Sequence, residues 1–332
     1  MTYQILFVER KPFESVSIEK AFKQIAANLS GEFEVDLQHV PYGNRFADTI
    51  KNLLLFHKRP ADLYHITGQI HYIALLFRPE NTVLSIMDVR FLYRDNGPRR
   101  WLLKRLYVDW PVKRLRYITA ISEKTKQEIV KYSGCSPDKV TVLDLPQVIE
   151  IDREPPRPFN SEKPVILQIG TMENKNIPNL ARALNGLTCK LRVIGHMTDA
   201  QHGVLKENNL EYENAFDVSE EQLRDEYRSA DLVSFCSTFE GFGLPIIEAQ
   251  SMRKPVITSN LSPMIETSGG AAYLADPSDV SSIREGIEKI ISDAEFREGL
   301  VRDGLENVKR FEPAAVARQY EEYYKRILSG KN

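Results

Sequence analysis

The sequence predicts an α/β protein built from two doubly wound parallel sheets. Three observations carry that expectation. Short apolar runs alternate with amphipathic helical stretches along most of the chain, the pattern of parallel strands covered by helices. The alternation stops at residues 150–164, EIDREPPRPFNSEKP, where four prolines and many charges show no periodicity, and then restarts. A chain of 332 residues is long enough for two domains of ordinary size. Folds of this kind bind ligands beyond the carboxyl ends of their strands, so the expected working region is a central cleft faced by both halves.

In the first half, QILFV reads as a strand. Ser17 can cap the helix IEKAFKQIAANL, with Glu19 in its first turn. EVDLQHV alternates with period two and reads as a second strand. ADTIKNLLLFHK is helical, and DLYHI, TVLSIM and YITAI are strands. Ser122 caps the helix EKTKQEIVKY, and VTVL closes the set. After the proline-rich stretch come the strand VILQI, the loop GTMENKNI and the helix PNLARALNG. CKLRVIG is a strand, SEEQLRDEYRSA a helix capped by Ser219, and DLVSF a strand. PVIT and AAYLA are strands, DVSSIREGIEKIIS is a helix, and two helices at about 294–310 and 313–328 finish the chain. The expected division is 1–150 and 151–312, with a helix at about 313–332 packing back on the first domain.

Composition narrows the class. With 42% hydrophobic and 27% charged residues, the chain reads as a soluble globular protein. A net charge of −2 and a pI near 6.4 give no reason to expect a nucleic-acid partner. MTYQILFVERK runs straight into a first strand, so no signal peptide is expected. No apolar run approaches the roughly 20 residues of a membrane span. Cys135, Cys189 and Cys236 are few, odd in number and scattered, which suits a reducing cytoplasm and matches neither a disulfide framework nor zinc spacing.

The stretch richest in chemistry is Ser237–Glu248, STFEGFGLPIIE. It reads as strand end, glycine turn and helix start, with Pro245 at the first helical position. Such a junction offers backbone N–H groups and the positive end of a helix dipole to an anion. Glu240 lies in the turn and Glu248 about one turn into the helix. One site can therefore hold a phosphate on amides and hydroxyl groups on two carboxylates, the layout of a nucleotide sugar. Spacing alone also suits a solvated helix face; the GFGLP turn and the preceding strand favour the site. Lys175, in the loop directly after VILQI, is the matching cation.

Three segments, IGTMENKN at 169–176, SADLVSFCSTFEGFGLPIIEAQSMRKPVIT at 229–258 and ETSGGAAYLADPSD at 266–279, resemble the donor domain of retaining nucleotide-sugar glycosyltransferases of the GT-B type. The family is the large one containing bacterial mannosyl- and glucosyltransferases. DLYHITGQIHY, SIMDVRF and ITAISEKTKQEI resemble its acceptor domain. The resemblance implies two Rossmann-like domains and transfer of a sugar from a UDP, GDP or ADP donor to an acceptor hydroxyl, with retention. It implies that Lys175 binds the donor diphosphate, that Gly170 lets its loop approach the ligand, and that Glu240 faces the transferred sugar. Phe242, Gly243 and Leu244 match the turn whose amides touch sugar and phosphate, and Glu248 the carboxylate that holds the ribose hydroxyls. Phe216 and Val218 fall where backbone meets the base. His65, His71, Asp88 and Arg90 fall on the acceptor side, with the two histidines and Asp88 as catalytic candidates beside Glu240. His65 also reads as a satisfied core histidine, and Asp88 as a cap of the following segment.

The chain departs from the family at four places. ERKPFESVS replaces the glycine-rich loop after the first strand, and Met87 replaces a histidine before Asp88. Thr171 and Asn174 stand where an arginine often flanks the loop lysine, so Thr171 is also taken as donor-binding. Lys254 replaces a glycine before PVIT. With Lys175 and turn amides available to the leaving phosphate, and no Asp-x-Asp at a strand end, neither metal nor cofactor is expected.

Residues 90–116 hold nine Arg or Lys against two Asp, interleaved with Trp101, Leu102, Leu103, Tyr107 and Trp110. This reads as a helix pair with a solvated basic face. The sharper reading is a surface for an anionic membrane leaflet or a lipid-linked acceptor. The expected setting is bacterial glycan synthesis in the cytoplasm, peripheral to the inner membrane face. The alternatives are a nucleotide-sugar epimerase or hydrolase of the same fold, and a non-catalytic nucleotide-sugar-binding subunit.

Overall fold

A computed structural model describes residues 2–11, 17–43, 45–94, 97–152, 154 and 157–330. The chain divides into two compact units, residues 1–148 with 311–332 and residues 149–310.

The first unit holds a six-stranded parallel sheet: β1 (Tyr3–Glu9), β2 (Phe33–His39), β3 (Leu63–Ile66), β4 (Thr82–Ile86), β5 (Tyr117–Ala120) and β6 (Val140–Val142), in the order β2-β1-β3-β4-β5-β6. Central strands are buried without alternation because helices cover both faces, whereas edge strand β2 alternates. The helix Pro313–Leu328 belongs to this unit and packs on the helix Ser17–Asn28, with Tyr320 meeting Phe22 edge to face at 6.0 Å. Residues 90–116 form several helical pieces rather than a simple pair: Phe91–Arg94, Gly97–Lys104, a π-turn at Arg105–Asp109 and Trp110–Arg114. Leu106, Val108 and Val112 pack inward, while Tyr93, Trp101 and Trp110 stay exposed.

The second unit repeats the plan with β7 (Val165–Ile169), β8 (Lys190–Ile194), β9 (Tyr212–Ala215), β10 (Leu232–Phe235), β11 (Val256–Ser259) and β12 (Tyr273–Ala275), in the order β12-β11-β10-β7-β8-β9. Strand β9, YENA, escapes the apolar pattern because it is an edge strand with no fully buried residue. The helix Leu244–Ser251 is buried from Ile246 onward and anchors the turn before it.

In each sheet the strand order reverses once, between β1 and β3 and between β7 and β10. Loops leaving the carboxyl ends of two such neighbours diverge to opposite faces and leave room for a ligand.

Candidate active site

The reversal between β7 and β10 brings Lys175 and Glu240 together across 65 residues of sequence. Lys175 Nζ donates to Glu240 Oε1 at 2.6 Å and lies 4.3 Å from the centre of the Phe235 ring. Both side chains are largely shielded, at 11% and 15% exposure, so water screens this pair less than a surface pair. The two loops are joined by further bonds. Thr238 N donates to the Asn174 carbonyl at 2.8 Å, and Asn174 Nδ2 donates to the Phe239 carbonyl at 2.8 Å and to Glu240 Oε1 at 3.0 Å. Asn174 does this through its amide, at one of the places where the family often carries an arginine.

Two glycines permit the geometry. Gly170 has φ +86°, and a Cβ there would sit 2.9 Å from Lys175 Cε. Gly243 has φ +113°, caps the helix at Leu244 and lies 3.1 Å, measured from its missing Cβ, from Ile246 Cδ1. The Phe242 carbonyl accepts from Thr267 Oγ1 at 2.8 Å, which holds the turn from behind. The helix start supplies amides without intrahelical acceptors and a positive dipole end. Further along this helix, Glu248 is 9% exposed and its Oε2 accepts from the buried Tyr227 hydroxyl at 2.7 Å. That bond orients one oxygen.

At the carboxyl ends of β8 and β9, the exposed Phe216 ring lies 4.4 Å from the His196 ring. His196 Nε2 meets Asp217 Oδ1 at 2.9 Å. Thr171 Oγ1 donates to the His196 carbonyl at 2.6 Å, so Thr171 ties the lysine loop to this aromatic pair. Val218 packs on the core below. Sequence reading missed His196; its only signal was a position after the strand CKLRVIG.

In the first unit the expectations divide. His65 is fully buried in a cage of Phe7, Phe22, Tyr320 and Tyr324. Its Nδ1 meets Tyr324 Oη at 2.6 Å and its Nε2 meets Ser85 Oγ at 2.7 Å. Burial pushes its pKa down to about 3. Both nitrogens are used inside the core, so the placement corrects the expectation of a catalytic His65. His71 differs. It opens the short 3₁₀ helix His71–Leu76, and its Nδ1 lies 2.8 Å from the Tyr107 carbonyl. A carbonyl only accepts, so Nδ1 carries the proton and Nε2 keeps its lone pair. Nε2 is buried and has no hydrogen-bond partner among the described residues. Burial lowers the His71 pKa, against the Tyr107 carbonyl and the Asp88 carboxylate, which raise it. Asp88 Oδ1 accepts from the Arg90 amide at 2.9 Å and so caps the following segment. Met87 is buried.

Glu9 was also missed. At the end of β1 it is 1% exposed, accepts from Thr67 Oγ1 at 3.2 Å across the strand reversal, and has its pKa pushed by burial up to about 7. The segment after it, residues 12–16 of ERKPFESVS, lies outside the described residues.

Residues 150–306 match the model of the glycosyl transferases group 1. Over that span the chain is similar to the group 1 glycosyltransferases. It is 28% identical over 263 residues to the O-antigen chain mannosyltransferase B of Escherichia coli, covering 70% of this chain and 67% of that one. It is 27% identical over 247 residues to the capsular polysaccharide biosynthesis glycosyltransferase CapM of Staphylococcus aureus, covering 64% and 62%. The chain thus spans about two thirds of the length of these relatives. Among solved structures, Anabaena HepE in complex with UDP and glucose superposes with a TM-score of 0.76 at 16% identity, covering 97% of this chain and 99% of that one. Sucrose-phosphate synthase from Thermosynechococcus elongatus gives 0.76 at 15% identity, covering 99% and 100%. These likenesses establish the fold, which is of the GT-B type. Among the described residues, no helix is long and apolar enough to cross a membrane.

Proposed function

We propose that the chain transfers a hexose from a nucleoside-diphosphate sugar to a saccharide or lipid-linked acceptor hydroxyl in bacterial glycan synthesis. The observation that carries this reading is the Lys175–Glu240 pair at the strand reversal, flanked by the Gly243 turn and by Glu248. The printed functions of the two relatives, O-antigen and capsular polysaccharide synthesis, support a glycan acceptor. The UDP and glucose bound to HepE support a nucleotide-sugar donor.

In this reading Glu248 takes the ribose hydroxyls, and the exposed Phe216–His196 pair, with backbone at Val218, takes the base. The diphosphate engages Lys175 and the amides of Phe242, Gly243 and Leu244. Donor entry replaces the Lys175–Glu240 contact by one from Lys175 to phosphate and frees Glu240 for the sugar hydroxyls. As the sugar–phosphate bond breaks, negative charge grows on the leaving phosphate, where Lys175 and the helix start are already aimed. No metal is then required. The acceptor hydroxyl attacks from the face the phosphate leaves and gives its proton to that phosphate, which retains the anomeric configuration. His71, neutral and with a free Nε2 lone pair, orients the acceptor hydroxyl, with Asp88 beside it.

The test is incubation of the full chain with UDP-, GDP- and ADP-hexoses, with and without acceptor oligosaccharides, in the presence of a chelator. Acceptor-dependent transfer supports the reading. Donor epimerisation or hydrolysis in its place, or nucleotide binding without turnover, overturns it in favour of the two alternatives. We also propose that the chain works in the cytoplasm, with residues 90–116 meeting an anionic leaflet. Exposed Trp101 and Trp110 among the basic residues support this. Vesicles of phosphatidylglycerol should pellet the protein at low salt and release it at high salt. No pelleting at low salt removes the membrane contact.

A further inference from the structure

A hollow of about 750 Å³ lies at the opposite end of the second sheet from the Lys175–Glu240 pair. It opens where Ala230 and Asp231 enter β10 and Pro255 enters β11, and is closed by the helix Ala294–Asn307. Its cations are Arg157, Arg253, Lys254, Arg297, Arg302 and Lys309, against the acids Asp231, Glu298 and Glu306. Its apolar wall is Phe159, Pro255, Val301 and Leu305.

Several of these charges are committed. Asp231 is buried and accepts from the amides of Asn160 and Val165 and from Arg157. Arg297 stacks on Phe159 at 3.9 Å and donates to the carbonyls of Ile290 and Ile291. Lys254 Nζ is spent on the Arg228 carbonyl at 2.9 Å. Arg253 is not committed. Its Nε is buried with no hydrogen-bond partner among the described residues. It is held there by a left-handed backbone, φ +56°. A buried N–H donor without an acceptor is costly to leave so, and the planar guanidinium fork suits phosphate or carboxylate. Burial and the nearby Arg157 also push the neighbouring Lys254 down to about 8, against Asp231 and Asp152, which raise it.

We propose that this hollow is a second ligand site, taking a small organic phosphate whose body is apolar, with the phosphate on Arg253 and the body against Phe159, Val301 and Leu305. The volume lies within the range of small-molecule pockets, roughly 300–1,000 Å³. The proposal stands independently of the transferase reading, because none of its residues belongs to the proposed donor site.

The test is calorimetric titration of the full chain with phenyl phosphate, with inorganic phosphate and phenol alongside. Phenyl phosphate should bind more tightly than either part alone. Arg253→Asn keeps a residue that tolerates the left-handed backbone and should weaken binding about tenfold. Val301→Glu, which brings a carboxylate to the apolar wall, should weaken it as well. Lys175→Met should leave it unchanged, which separates this site from the donor site. The idea is overturned if phenyl phosphate does not bind, if inorganic phosphate binds as tightly, or if Lys175→Met abolishes binding while Arg253→Asn does not. Phosphatidic acid vesicles form the last arm. Pelleting that depends on Arg253 without binding of phenyl phosphate assigns the headgroup of a lipid and overturns a free ligand.

Discussion

Lys175 sits between a carboxylate and an aromatic ring, and its charge is directed by both. In the proposed reaction, removing it withdraws the full positive charge directed at the leaving phosphate. Lys175→Met should lower kcat/KM by roughly 10²–10³-fold, the scale of losing one preorganised donor. Glu240→Gln keeps the shape and loses the charge, and should cut kcat more than it raises the KM for donor. Steady-state kinetics checks both, and wild-type transfer by Glu240→Gln would sink the role given to that carboxylate. Gly170 makes the same point through the backbone. In Gly170→Ala the new methyl meets Lys175 Cε at 2.9 Å in a left-handed backbone, at a cost of about 1–3 kcal/mol. The expected result is a lower melting temperature together with weaker donor binding. An unchanged donor affinity would show that the lysine position does not depend on this glycine.

At the scale of elements, chemistry depends on which strands are neighbours. The lysine loop and the glutamate turn touch because β7 pairs with β10, and the Asn174 and Thr238 bonds then fix their register. The last helix acts in the other unit. Tyr320 and Tyr324 are buried, and Tyr324 Oη bonds His65. Tyr324→Phe leaves the buried Nδ1 of His65 without its partner and should cost about 1–3 kcal/mol, read as a lower urea midpoint. No change in midpoint would mean that a water or a rearranged ring replaces the hydroxyl. Because His65 is a structural group, transfer measured well below the melting temperature should survive this change.

The whole molecule titrates through opposed buried groups. His65 is neutral in the fold with its pKa pushed from 6.5 to about 3, so the stability it contributes is present above pH 6.5 and is lost as pH falls towards 3. Glu9 runs the other way: its pKa is raised from 4.5 to about 7, so its contribution is present below pH 4.5 and is lost as pH rises through 7. Between pH 4.5 and 6.5 the two slopes oppose each other. Glu9→Gln removes one of them, and acidification across this window should then destabilise the protein more steeply, by about 1.4 kcal/mol per pH unit. Urea midpoints at several pH values check this, and parallel profiles for wild type and variant would overturn it. The paired design extends to topology: both sheets reverse their strand order once, and Glu9 with Thr67 occupies that place in the first as Lys175 with Glu240 does in the second.

Sequence alone determined the α/β class, the proline-rich break near 150–164, and the strand–turn–helix of Ser237–Glu248, because all three rest on local periodicity and on what glycine and proline do to a backbone. It also placed Lys175 in the loop after a strand end, since strand and loop are local patterns. Tertiary structure decided what depends on distant neighbours. It turned His65 inward, where Tyr324, 259 residues away, takes its ring nitrogen. It gave His71 a defined tautomer through the Tyr107 carbonyl. It made strand β9 from the polar run YENA, because an edge strand needs only a neighbour to bond. It left Arg253 Nε buried and, among the described residues, without a hydrogen-bond partner. Burial and pairing are properties of contacts between remote residues, and no local pattern in the chain encodes them.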